Sequence, residues 1–176
     1  MGKTNKKSEF RKYRDGLWIP HRYVLYSYWF QFLKIAHQEK RKIDWKKYSD
    51  WGTPDEIFSN SFRTFWEMNW KRLFSEQSES SRTGKFIMTS ERTKPDAIKV
   101  ALEIYRLKNK YPYKDNLDIV IWIDKNKIKT KKWKSDLGSL FGGKTDQEKK
   151  EINRGIKRYL KQSEQILQNV CEGQFP

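Results

Sequence analysis

Between His21 and Phe74 the chain carries more large rings than a soluble fold can leave in water. Tyr23, Tyr26, Tyr28, Trp29, Phe30 and Phe32 crowd one segment. Trp45, Tyr48 and Trp51 follow, then Phe58, Phe62, Phe65, Trp66, Trp70 and Phe74. Each such side chain buries a large apolar area, so this block is expected to nucleate the core. Only 36% of the 176 residues are apolar and 34% are charged, yet 15% are aromatic. A few very large side chains can build the core that many small ones would otherwise supply, which argues against general disorder. The length suits one domain, or two small ones sharing a core.

Helix signals organise the aromatic part, residues 17–75. From Arg22 to Gln38, the residues Leu25, Trp29, Phe32, Leu33 and Ala36 recur at helical spacing, and Tyr26 and Phe30 widen the stripe. A helix apolar over most of its circumference is central to a core. Pro20 suits the entry to such a helix. Trp45, Tyr48 and Trp51 are expected to cap the core from a short turn; the alternative, beside Lys46 and Lys47, is stacking on bases. Thr53-Pro54-Asp55-Glu56 combines a capping box with proline in the first turn. It opens a helix running to Phe74, with a second cap available at Ser59-Asn60-Ser61.

Residues 76–84 hold nothing apolar and read as a linker. Beyond it, residues 85–176 read as strand, helix, strand, a basic segment and a long helix. The strands are Lys85–Thr89 and Leu117–Asp124, the latter rich in β-branched residues; Pro95 opens the helix between them. Thr145 and Glu148 form another capping box at the head of the last helix, about 146–170, and Gly173 suits its end. The fold class is α+β, mainly helical: an aromatic-rich helical core, a small β-containing part and a long C-terminal helix.

The formal charge is +16, from 38 Lys and Arg against 22 Asp and Glu. Self-repulsion on this scale favours a polyanionic partner. The cations are also patterned. Residues 1–16 form a basic arm, expected to be flexible, with Lys3, Lys6, Lys7, Arg11, Lys12 and Arg14. Lys125, Lys127, Lys129 and Lys131 alternate and would share one face of an extended ribbon, continued by Lys132 and Lys134. In the last helix Lys150, Arg154, Lys157, Arg158 and Lys161 fall opposite Ile152, Ile156, Tyr159, Leu160, Ile166, Leu167 and Val170. These eleven cations are the expected nucleic-acid-binding residues, with Asn153 and Gln162 as neighbouring polar groups able to read base edges. DNA is preferred to RNA, because no RNA-binding motif is present. An acidic protein is the alternative partner.

Catalytic signatures are weak. Gly138-Ser139-Leu140-Phe141-Gly142-Gly143-Lys144-Thr145 fits the P-loop pattern, but no hydrophobic strand leads directly into it. Asp118 and Asp124 would lie on one strand face but at opposite ends, and a two-metal nuclease would need Glu91 or Glu103 to complete its site. With only two histidines and one cysteine, neither a zinc site nor a nucleophile triad is expected, and no disulfide can form within the chain. No catalytic residue, metal or cofactor is expected. No stretch approaches a membrane span and no secretory run follows the basic N-terminus, so a cytoplasmic protein is expected.

Ile43-Asp44-Trp45-Lys46-Lys47-Tyr48, Trp51-Gly52, Phe62 to Trp66, Trp70 and Leu73-Phe74 resemble short uncharacterised proteins of bacterial phages and mobile elements. The closing Ile166-Leu167-Gln168-Asn169-Val170 and Gly173 to Pro176 are similar too. The resemblance covers half the chain. It implies a mobile-element setting and no activity, and it carries over no functional residue. The expected function is non-enzymatic nucleic-acid binding, as a regulatory or accessory factor of such an element.

Overall fold

The structure is a computed structural model. It describes residues 10–12, 18–74, 82–89, 94–125 and 145–176, with side chains over 22–74, 82–89, 94–123 and 145–176. The chain divides into two compact units: Met1–Glu91 with Val170–Pro176, and Arg92–Asn169.

In the first unit, strands β1 (Phe10–Lys12) and β2 (Trp18–Pro20) pair antiparallel, with Arg11 opposite Ile19. Phe10–Lys12, within the expected arm, therefore has a ladder partner; the rest of that arm lies outside the described residues. Helix α1 (His21–Gln38) follows directly. Leu25, Tyr26, Trp29, Phe30, Phe32, Leu33 and Ala36 are all buried, so α1 is enclosed on several sides, as its broad apolar stripe requires. A 3-10 helix, Trp45–Trp51, closes over it. Tyr48 and Trp51 are buried and Trp45 is half-buried, packed edge-on to His37 and Tyr48. These rings are core residues and not a base-stacking surface.

Helices α2 (Pro54–Ser59) and α3 (Phe62–Leu73) break where the second cap was expected. Thr53 and Glu56 exchange both capping-box hydrogen bonds, at 3.4 and 2.7 Å. The Ser61 hydroxyl accepts from the Thr64 N–H.

Trp29 is the hub of this unit. It is fully buried and lies nearly parallel to Tyr26 at 5.7 Å and to Phe175 at 5.4 Å. Its indole N–H donates to the Tyr48 hydroxyl at 2.9 Å, which donates to the Val170 carbonyl at 2.6 Å. Burial, against the opposing Trp29 hydrogen bond, pushes the Tyr48 phenol well above its ordinary range, so it stays a neutral donor. Trp51, also buried, has no hydrogen-bond partner for its indole nitrogen among the described residues.

Strand β3 (Ile87–Met88) pairs in parallel with β4 (Gln174–Phe175). The Ile87 N–H donates to Gly173 and the Thr89 N–H to Phe175. Gly173 has φ 77°, and a Cβ there would stand 2.6 Å from the Lys47 side chain, so the turn out of the last helix needs glycine.

Asp50 fixes the approach to β3. Its carboxylate accepts from the Thr83 hydroxyl and from the Gly84 N–H. Partial burial pushes its pKa up, but these hydrogen bonds and the Arg72 charge prevail and hold it below the usual value. A depressed folded-state pKa contributes stability above the unfolded value, about 4, which is lost as pH falls through the folded one. Asp50→Asn is therefore expected to lower the urea midpoint at pH 7. The gap to wild type should close in strongly acidic buffer; a gap independent of pH would exclude this role.

The second unit contains α4 (Pro95–Lys110), α5 (Asn116–Lys125) and most of α6 (Asp146–Cys171). Its core is aliphatic: Val100, Ala101, Ile104, Leu107, Ile119, Val120, Ile123, Ile152 and Ile156, with Tyr159. The fully buried Ser163 hydroxyl lies 2.9 Å from the carbonyls of Ala101 and Tyr159, tying α6 to α4.

Leu117–Asp124 is helical, which corrects the strand expected there. The buried residues Ile119, Val120 and Ile123 fall at i, i+1 and i+4, a helical face against α4 and α6. The Asp115 carboxylate caps the first turn by accepting from the Asp118 N–H at 2.7 Å. A short apolar run is ambiguous by periodicity, and here packing overrides β-propensity. No strand-helix-strand unit exists among the described residues: β3 belongs to the first unit and pairs with β4.

Candidate nucleic-acid interface

Helix α6 sorts its side chains sharply. The Thr145 N–H donates to Glu148 Oε2 at 3.0 Å and the Glu148 N–H donates to Thr145 Oγ1 at 3.2 Å. This capping box fixes where the helix begins and hence which residues share a face. Ile152, Ile156, Tyr159, Ile166, Leu167 and Val170 are buried. Lys150, Arg154, Lys157, Arg158 and Lys161 are all exposed. At roughly 100° and 1.5 Å per residue, these cations fill an arc of about 100° and a row about 17 Å long, centred about 180° from the buried stripe. No acid interrupts the sequence from Ile152 to Ser163; Glu148 and Glu151 precede it and Glu164 follows.

The row is held in part by its own packing. The Arg158 guanidinium lies 5.3 Å from the centre of the buried Tyr159 ring. Asn153 borders the row and accepts from the Asn116 side chain, which anchors α6 to the start of α5. Gln162 is half-buried at the other edge. Beside Asn153 lies an open depression of about 270 Å³, lined by Asp115, Asn116, Leu117, Lys149, Ile152 and Asn153.

The other expected cations are not placed with this row. Lys125 ends α5, so the alternating segment starts from a helix instead of an extended strand. The Lys125 side chain and Lys127, Lys129, Lys131, Lys132 and Lys134 lie outside what is described. The P-loop-like segment does too, apart from Thr145, whose hydroxyl serves as a helix cap.

Of the carboxylates weighed for a nuclease, only the Asp118 and Glu103 side chains are described. Positions 118 and 124 lie in a helix, about 120° apart around its axis and about 9 Å apart along it, which corrects the shared strand face. Glu103 pairs with Arg106 at 3.6 Å, and Glu91 lies outside the described residues. Among the described residues no three His, Cys, Asp or Glu side chains are grouped to hold a metal ion. His37 packs against Phe58 at 5.3 Å. Burial above all, with Glu172 and Glu39 adding to it against Arg41, pushes the Cys171 thiol up, away from a reactive thiolate. No described helix is long and apolar enough to cross a membrane.

One surface group escaped sequence reasoning. Tyr113, between α4 and α5, is 81% exposed. Its signal is the run Lys110-Tyr111-Pro112-Tyr113-Lys114, in which the ring sits between a proline and a lysine just past the end of α4.

No family model, curated protein or solved structure matches the chain.

Proposed function

We propose that the protein binds nucleic acid, DNA in preference to RNA, through the outward face of α6 and without catalysing a reaction. The observation that carries this reading is the row of exposed cations from Lys150 to Lys161, free of acids from Ile152 to Ser163, opposite a buried stripe. Phosphate contact needs Lys and Arg on a continuous surface, and a rigid helix holds these at fixed spacing. A helix of this diameter also fits the major groove. The basic segment Lys125 to Lys134 would extend the contact. The setting that fits a small basic binder of this kind is a regulatory or accessory role in a phage or mobile element, in the cytoplasm.

A pull-down with the full chain, with and without nuclease treatment, tests this reading. Nucleic acid should dominate the untreated eluate, and nuclease should release the proteins captured with it. Capture of a single acidic protein that survives nuclease would reassign the face to a protein partner.

A further inference from the structure

Tyr113 sits at the corner of a built turn. The Lys114 N–H donates to the Tyr111 carbonyl at 3.1 Å, closing a four-residue turn with Pro112 at its second position, where the fixed φ of proline is favoured. The Lys108 ammonium donates to the Lys114 carbonyl at 2.8 Å and fastens the turn to α4. Tyr111 packs on the aliphatic core, with the ammonium groups of Lys110 and Lys114 at 5.3 and 5.4 Å from its ring centre. The Tyr113 ring stands edge-on to Tyr111 at 6.5 Å. A single exposed aromatic is ordinary on a protein surface. One on a hydrogen-bonded turn, beside a ring that two ammonium groups approach, has the two components of a base-stacking platform, a π-face and nearby positive charge for the backbone.

The turn also adjoins the cationic row. Asn116, three residues after Tyr113, hydrogen-bonds to Asn153 of α6. Three residues span at most about 11 Å, so one strand of nucleic acid can touch both. Bases inside a duplex are already stacked and offer no face to Tyr113. We infer that the preferred ligand is DNA in which a duplex meets unpaired bases, with the α6 cations on the backbone and the first unpaired base stacked on Tyr113.

This inference rests on the nucleic-acid reading, and the experiment separates the two. Affinity of the full chain is measured for a blunt duplex and for the same duplex carrying a short thymidine overhang. The overhang should tighten wild-type binding by about five- to hundredfold. Tyr113→Ala and Tyr113→Leu should erase that gain without changing blunt-duplex affinity, and Tyr113→Trp should keep it. An overhang gain absent in wild type, or one that Tyr113→Ala or Tyr113→Leu retains, overturns the inference and leaves the duplex reading standing. Failure to bind either DNA, or equal binding of a polyglutamate of matched charge that is unaffected by Tyr113→Ala, removes both.

Discussion

Reversing Arg154, Lys157 and Arg158 together to Glu should weaken binding to duplex DNA by more than about a hundredfold while the protein stays folded. The three residues lie within one exposed arc of α6, so the change turns the centre of the cationic row negative. Like charges brought together at an interface cost several kcal/mol, and each 1.4 kcal/mol is a tenfold change in affinity. The same substitutions touch little of the fold. Exposed positions of this kind usually shift stability by less than about 0.5 kcal/mol, and Glu is about as good a helix former as Lys or Arg. Arg158 is the exception, because its guanidinium packs over the Tyr159 ring; losing that contact costs about 0.5–1 kcal/mol. Fluorescence anisotropy read beside thermal unfolding separates the two effects. Neutralising the trio to Gln should give an intermediate loss. Reversal that leaves anisotropy unchanged would exclude α6 as the contact surface.

Trp29→Ala should destabilise the first unit by about 3–5 kcal/mol. That is a large part of the roughly 5–15 kcal/mol that holds a domain folded. The side chain is fully buried and stacked on Tyr26 and Phe175, so the substitution opens a cavity under two rings. It also strips the Tyr48 hydroxyl of its donor. Comparing Trp29→Phe with Trp51→Phe isolates the polar contribution. Both replace a buried indole by the same smaller ring, but only Trp29 donates a hydrogen bond among the described residues. Leaving a buried group unsatisfied costs about 1–3 kcal/mol, so Trp29→Phe should be the more damaging. Urea unfolding monitored by near-ultraviolet circular dichroism measures both. Equal losses would show that the Trp29–Tyr48–Val170 chain of hydrogen bonds contributes nothing beyond packing.

Features governed by neighbours in sequence were legible before the structure. The capping boxes at Thr53 and Thr145 each need only residues three apart, and both form as read. The facial sorting of α6 follows from helical periodicity alone. What escaped depended on distant partners. Leu117–Asp124 looks like a strand because Ile and Val favour strands, yet its faces are claimed by Ile104 and Ile156 on other helices. The Asp115 cap three residues before Asp118 was the local signal that could have corrected it. Phe175 gives no sign in sequence of entering the core, because its place beside Trp29 depends on β3 reaching β4 from the far end of the chain. Of the eleven cations expected to bind, the five on α6 were placed by periodicity and stand together on its exposed face. The six from Lys125 to Lys134 were read on the premise of an extended ribbon, and the one whose backbone is described, Lys125, lies in a helix.

The central claim is that the cations of α6 act together on phosphates, and the salt dependence of binding to random-sequence duplex DNA tests it most directly. Each neutralised phosphate contributes about −0.9 to the slope of log affinity against log salt. Contact by the five α6 cations contributes roughly −4 to −5 to the wild-type slope, which contacts from Lys125 to Lys134 would steepen, and the Arg154, Lys157 and Arg158 reversal should reduce its magnitude by about 2–3. A wild-type slope near zero, or one that the reversal leaves unchanged, would contradict it.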